Sequence, residues 1–405
     1  MIDAVASPAT TALPSKPTPA RLMSLDVYRG VTMLMMASAG LHLGEVAKNH
    51  FSGSPAWQFL AEQTDHVKWA GCSLWDLIQP SFMFMVGVSL PYSLASRREK
   101  GDTFAALFCH AVFRSFLLVA LSCFLVSQWS KQTSFIFTNV LAQIGLGYPL
   151  LFLLAWTRPR TQIAAAVAIL AGYWALFALY PHPPADFDYS SVGLPKDWNY
   201  LQGFAAHWQK NANAAYAFDR WFLNIFPREA PWNFSTGGYQ TLNFIPSLAT
   251  MIFGLLAGQI LRSDRPVSTK IMLLICAGIG GLVLGGVLNV LGICPIVKRI
   301  WTPSWALFSG GWTFLILASF YVAIDVKGFK GWTFPFIVVG MNSIAMYVME
   351  QASSSYIRGS LKIHLGQKVF EKCDHYGPIV ECAAVLLVMW LVCLWMYRRK
   401  LFLKL

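Results

Sequence analysis

The chain has 405 residues, 56% of them hydrophobic and only 12% charged, with a mean hydropathy of +0.50. A soluble domain carries about 25% charged residues, so this chain cannot cover its surface against water and much of it must face lipid. The net charge of +12 does not point to nucleic acid, because the basic residues cluster between apolar runs, as the positive-inside bias of membrane proteins requires.

Residues 1–20 are rich in Pro, Ala, Ser and Thr and lack an apolar stretch, so they read as a disordered cytoplasmic leader and not as a signal peptide. Residues 21–405 read as one transmembrane domain. A span takes about 20 mostly apolar residues. Segments that qualify are 27–47, 72–95, 103–126, 137–157, 161–180, 242–262, 269–291, 303–325, 334–352 and 377–397. The expected fold is therefore all-α and polytopic, with about ten transmembrane helices. Arg97, Arg98 and Lys100 fall in one connection, and Arg158 and Arg160 in a later one. Arg262, Arg265 and Lys270, then Lys327 and Lys330, then Arg398, Arg399 and Lys400 continue the alternation. This bias puts those connections and both termini in the cytoplasm; Lys298 and Arg299 are the main exception. Two external segments result, 48–71 and the long 181–241, the latter rich in Trp, Tyr, Asn and Pro. Its composition suits either a carbohydrate-facing surface or an ordered cap on the bilayer. No internal repeat is apparent, which argues against a transporter built from inverted repeats.

Polar groups within spans are expensive, so each is a candidate for function. The stretch RLMSLDVYRG carries Arg21, Ser24, Asp26 and Arg29. Asp26 and Arg29 share a helical face and either pair with each other or hold a phosphate-bearing ligand. His66 lies just before a span, followed by Trp69, Gly71 and Asp76. Such a histidine is either structural or a proton acceptor; Asp76 could orient a partner or bind backbone freed by Pro80. Arg114 sits among apolar neighbours, suiting phosphate recognition unless it snorkels. Asn139, Gln143, Thr241, Asn243, Ser304, Asn342 and Ser343 are either glue between helices or the lining of a polar cavity. Of the eight cysteines, Cys373 and Cys382 are spaced so that they could pair. No metal-ligand spacing, GxSxG elbow, P-loop, HExxH or HxxxxD pair is present.

At these residues the chain resembles the heparan-α-glucosaminide N-acetyltransferase family of membrane acyltransferases. The resemblance runs in ordered blocks: RLMSLDVYRG (21–30), the 66–89 block and FRSFLL (113–118) come first. NFIPSLATMIFGLLAGQIL (243–261), IWTPSWALFSGG (300–311) and the 324–348 block with GMNSIAMYV follow. The chain departs from the family pattern at Gly40, at Gln143 where an arginine is common, and in the insertion at 181–241.

The resemblance implies transfer of an acetyl group from cytosolic acetyl-CoA to a glucosamine-type amino sugar beyond a bacterial inner membrane, with no metal. A homodimer is a candidate assembly. His66 matches the family's catalytic histidine, with Asp76 beside it. Arg29, Arg114, Asn139, Gln143, Asn342 and Ser343 would serve the coenzyme, and Trp69, Asn243 and Trp301 the acceptor. The residues themselves allow His66 to act as a base on the attacking amine or to carry the acetyl group as an acyl-imidazole. They also leave open a sugar carrier without acyl chemistry, or an O-acetyltransferase of a glycan.

Overall fold

The computed structural model describes residues 22–184, 186–366 and 368–403; the 1–20 leader and Arg21 lie outside them. The N-terminal part holds α1 (Met23–Ala37), α2 (Leu43–His50), α3 (Pro55–Gln63), α4 (Ile78–Glu99), α5 (Phe104–Val126), α6 (Val140–Leu154) and α7 (Pro159–Ala178). There follow α8 (Ala214–Phe222), α9 (Phe244–Arg262), α10 (Val267–Val290), α11 (Pro303–Phe320), α12 (Phe334–Gly340), α13 (Ser343–Leu365) and α14 (Gly377–Arg398). Among the described residues there is no β-strand, only one antiparallel bridge between Ala70 and Val297.

Among the described residues, seven helical segments are long and apolar enough to cross a membrane: Trp75–Glu99, Phe104–Val126, Pro159–Ala178, Thr241–Arg262, Val267–Val290, Pro303–Val326 and Glu371–Arg398. Each coincides with an expected span, and the chain is a multi-pass membrane protein. The other three expected spans take different forms. The segment 137–157 is the 15-residue α6. The segment 27–47 is broken, because Ala39, Gly40, Leu41 and His42 all adopt positive φ and end the 15-residue α1. At about 1.5 Å per residue α1 is about 22 Å long, short of a bilayer core. The segment 334–352 breaks at Asn342 (φ −124°, ψ 36°), between the short α12 and the 23-residue α13.

Lipid gives helices no hydrophobic reason to associate, so close packing must come from small residues. α4 and α9 meet at Gly87, Gly254 and Gly258, where a Cβ would strike the backbone of Met251, Phe84 and Val88 in turn. α1 and α12 meet the same way, Gly30 against the Phe336 carbonyl and Gly340 against that of Asp26. Gly254→Leu is expected to cost about 3 kcal/mol or more, the upper end of overpacking penalties. The readout is melting temperature in detergent; Gly280→Leu, whose Cβ would meet nothing within 4 Å, is expected to leave it unchanged.

The 181–241 segment is an ordered cap and contains α8. Its amides point inward: Gln209, Asn211, Asn213 and Gln240 are all buried. Asn211 donates to the carbonyls of Val192 and Ser235, and Asn213 accepts from the Tyr216 amide at the start of α8. Its Trp208 packs with Tyr173 and Phe177 of α7 and with Trp69, Cys294, Val297 and Ile300. The cap therefore clamps the loop after α3 against the loop before α11. Cys373 and Cys382 are both free thiols.

Candidate active site

The clamp builds a small charged cluster. Gly71 donates to the Ile296 carbonyl at 2.9 Å, beside the Ala70–Val297 bridge, so residues 67–71 and 296–299 run side by side. Thr302 and Ser304 hydroxyls both donate to the Pro295 carbonyl, and Thr302 accepts from the Val297 amide, tightening the turn that carries Lys298 and Arg299. These adjacent cations point to different partners. Arg299 donates to the carbonyls of Gly237 in the cap and Val67 beside His66. Lys298 turns inward.

His66 Nδ1 lies 2.7 Å from Asp76 Oδ1, and Lys298 Nζ lies 3.2 Å from the same oxygen. Asp76 is 1% exposed, and its Oδ2 accepts from the amides of Val67 and Ser73 and from the Ser73 hydroxyl. A carboxylate so placed is an acceptor only, so Nδ1 carries the proton and Nε2 keeps the basic lone pair. Lys298 Nζ is also 3.1 Å from Nδ1, but with that nitrogen protonated its hydrogen bond goes to Asp76. Burial pushes Lys298 down to about 8, against the pull of Asp76 toward the charged form. The imidazole remains 35% exposed, open to a molecule arriving at this end of the bundle.

A cavity of about 400 Å3 occupies the other half of the bundle, between α1, α4, α5, α6, α12 and α13. Arg29, Arg97, His110 and Arg114 line it, and among the described residues no acidic side chain does. Arg29 donates to Ser89 Oγ at 2.8 Å; Arg114 donates to the Tyr148 hydroxyl at 3.1 Å and stacks on that ring. Ser343 and Ile344, the first residues of α13, also face the cavity, so a helix N-terminus with its free amides adds to the positive field. The wall contributed by α4 runs from Phe82 to Arg97 along one helical face, with Ser89, Ser93 and Arg97 as its polar members. The wall ends at Phe82; one turn earlier on α4 comes Gln79, and Asp76 stands in the turn Trp75–Leu77 that leads into the helix. The cluster and the basic end are thus about 30 Å apart along α4, the thickness of a bilayer core.

No family model matches the chain. Its sequence is similar to heparan-alpha-glucosaminide N-acetyltransferase. The human protein of that name is 26% identical over an alignment covering 100% of this chain and 62% of the relative. The mouse protein is 24% identical, with 95% of this chain and 60% of the relative covered. The chain therefore spans about three-fifths of the length of these curated acetyltransferases.

Set beside that likeness to N-acetyltransferases, the residues singled out from sequence fall into three groups. His66 and Asp76 are in direct contact. Arg29, Arg114 and Ser343 line the cavity, with Asn342 just behind Ser343 at the helix break, its side-chain oxygen accepting from the Leu403 amide. The others serve as struts in this structure. Asn139 caps α6 by accepting from the Ala142 amide, and Gln143 bonds Gln79 and the Thr138 carbonyl. Trp69 is 4% exposed and donates to the Trp208 carbonyl. Asn243 and Trp301 are fully buried, the first donating to the Arg299 carbonyl and the second to Thr250 Oγ1. Asp26 and Arg29 lie 3.9 Å apart, so the pairing expected from their spacing and the cavity position of Arg29 coexist.

Sequence reasoning missed Lys298, Gln79, Tyr148, Arg97 and His110. For Lys298 a signal existed, since it breaks the charge alternation of the connections. Among the described residues no group of three or more His, Cys, Asp or Glu side chains is placed to share a metal ion.

Proposed function

We propose that the chain is a transmembrane acetyltransferase that moves the acetyl group of cytosolic acetyl-CoA to the amine of a glucosamine-type sugar on the periplasmic side of an inner membrane. The observation that carries this reading is the placement of the His66–Asp76–Lys298 cluster just before α4, the helix whose later turns wall the basic cavity. The phosphates of the donor belong at the basic end, where Arg29, Arg97, Arg114 and the start of α13 offset their charge in a low-dielectric setting. The pantetheine arm then runs along α4 and brings the thioester to His66. The similarity to N-acetyltransferases of glucosaminides supports the reaction class and the amine acceptor.

The chemistry follows from the orientation of the imidazole. A sugar amine attacks the thioester carbonyl, forming the C–N bond, while His66 Nε2 takes the proton released by the nitrogen. Collapse of the tetrahedral adduct breaks the C–S bond, and the imidazolium returns its proton to the departing thiolate. Asp76 stabilises the imidazolium through Nδ1–H throughout. Direct attack is favoured over an acyl-imidazole because a thioester needs little further activation.

The test uses purified protein in nanodiscs, labelled acetyl-CoA and small glucosaminides, with the product identified as an amide. Arg114→Leu is expected to raise KM for acetyl-CoA tenfold or more with a smaller change in kcat, as loss of a charge-assisted phosphate contact requires. Folded protein that neither binds coenzyme A nor transfers acetyl would end this reading and favour a carrier.

A further inference from the structure

Between the charged cluster and the first cavity residue on α4 stands one polar side chain, Gln79. Its Nε2 donates to Gln143 Oε1 at 3.1 Å. Gln143 is fully buried, and its own Nε2 donates to the Thr138 carbonyl at 3.1 Å. Four residues earlier Asn139 caps α6, so the turn that carries Gln143 is itself fixed. With its acceptor oxygen engaged by Gln79, Gln143 fixes which way the Gln79 amide faces. No hydrogen bond to Gln79 Oε1 occurs among the described residues, and that oxygen is not sealed from solvent. A half-buried amide oxygen aimed by a fully buried partner, one turn before the cavity lining begins at Phe82, is a placed acceptor in search of a donor.

We infer that Gln79, aimed by Gln143, accepts a hydrogen bond from the amide N–H nearest the sulfur in the pantetheine arm of the thioester donor. This rests on the acetyl-CoA reading above. The levels match: Gln79, in the first turn of α4, is about 5 Å along the axis from Asp76 in the turn before it. In the donor, two methylene groups separate the sulfur from the first amide nitrogen, a reach of the same size. A thioester carbonyl at the level of His66 therefore sets this N–H at the level of Gln79. The contact is a specificity device: a thioester without that N–H leaves the Gln79 oxygen unpaired in a closed site, which binding energetics penalise more than they reward the bond itself.

Gln79 would then be a positioning residue, and the competing reading is a strut between α4 and α6. Two donors separate them, acetyl-CoA and its analogue in which the amide N–H nearest the sulfur is replaced by an ester oxygen. Wild type is expected to prefer acetyl-CoA by about tenfold in kcat/KM. Gln79→Leu is expected to lose about tenfold on acetyl-CoA and almost nothing on the ester analogue, so that the preference collapses toward one. Gln79→Met provides the same comparison if leucine disturbs folding, and Gln143→Leu is expected to give part of the same loss. A preference that survives in the Gln79 variants, or equal losses on both donors, overturns the inference and leaves a strut. Turnover by wild type with no preference between donors overturns it also, while the acetyltransferase reading stands. Wild type that uses neither donor and binds no coenzyme A removes that reading, and this inference with it.

Discussion

His66→Ala is expected to lower kcat for acetyl transfer about a thousandfold or more, equivalent to about 4 kcal/mol of transition-state stabilisation. KM for acetyl-CoA is expected to change little, because the basic cavity that would hold the phosphates lies at the far end of α4. Asp76→Asn makes the sharper test. Its side chain has the same size, yet an amide can present an N–H to His66 Nδ1 and so favour the tautomer whose lone pair faces inward. A loss of about a hundredfold or more is expected, from orientation alone. The carboxylate is 1% exposed and takes five hydrogen bonds or ion contacts from His66, Val67, Ser73 and Lys298, so part of the effect could be misfolding. Melting curves separate the two: full activity in a well-folded Asp76→Asn protein would sink the dyad.

Lys298→Met is expected to lower kcat about a hundredfold, because the ammonium 3.2 Å from Asp76 balances a buried carboxylate that must stay ionised to hold the imidazole proton. The pH dependence has a definite sign. Lys298 is pushed down to about 8, so it is largely charged at neutral pH and neutral well above 8. Activity that depends on the ammonium is therefore present below about 8 and falls as pH rises through it. The Cys72 thiol, which also faces Lys298, does not blur this limb. Burial pushes the Cys72 thiol up to about 12. Lys298→Arg is expected to carry the alkaline limb upward by at least one pH unit, since a guanidinium keeps its proton. An unchanged limb in that variant, with activity retained, would show that Lys298 is a structural cation only.

The seven long apolar helices were legible in the sequence because their cause is local. Each stretch must present an unbroken apolar surface to lipid, and composition alone records that. The breaks at Ala39–His42 and at Asn342 were not legible. Neither contains a proline. The first packs against residues distant in the chain, with Gly40 against the Thr64 carbonyl and Cys382 donating to the Ser38 carbonyl; the second comes two residues after Gly340, which presses on Asp26. The amides of the cap read equally well as sugar contacts or as internal struts, and burial made them struts. Arg29, Arg114 and Ser343 could be named in advance because a charge or hydroxyl within an apolar run is conspicuous wherever it ends up.

By itself, then, the sequence determined that this is a helical membrane protein with polar groups worth their cost, and it pointed to His66 and Asp76. What only the tertiary structure decided is how those groups meet. Lys298 comes from 222 residues beyond Asp76, and the basic cavity is walled by six helices drawn from both ends of the chain. Hydropathy is a sum over neighbours along the chain, whereas a site is a set of distances between residues that the packing of small side chains brings together.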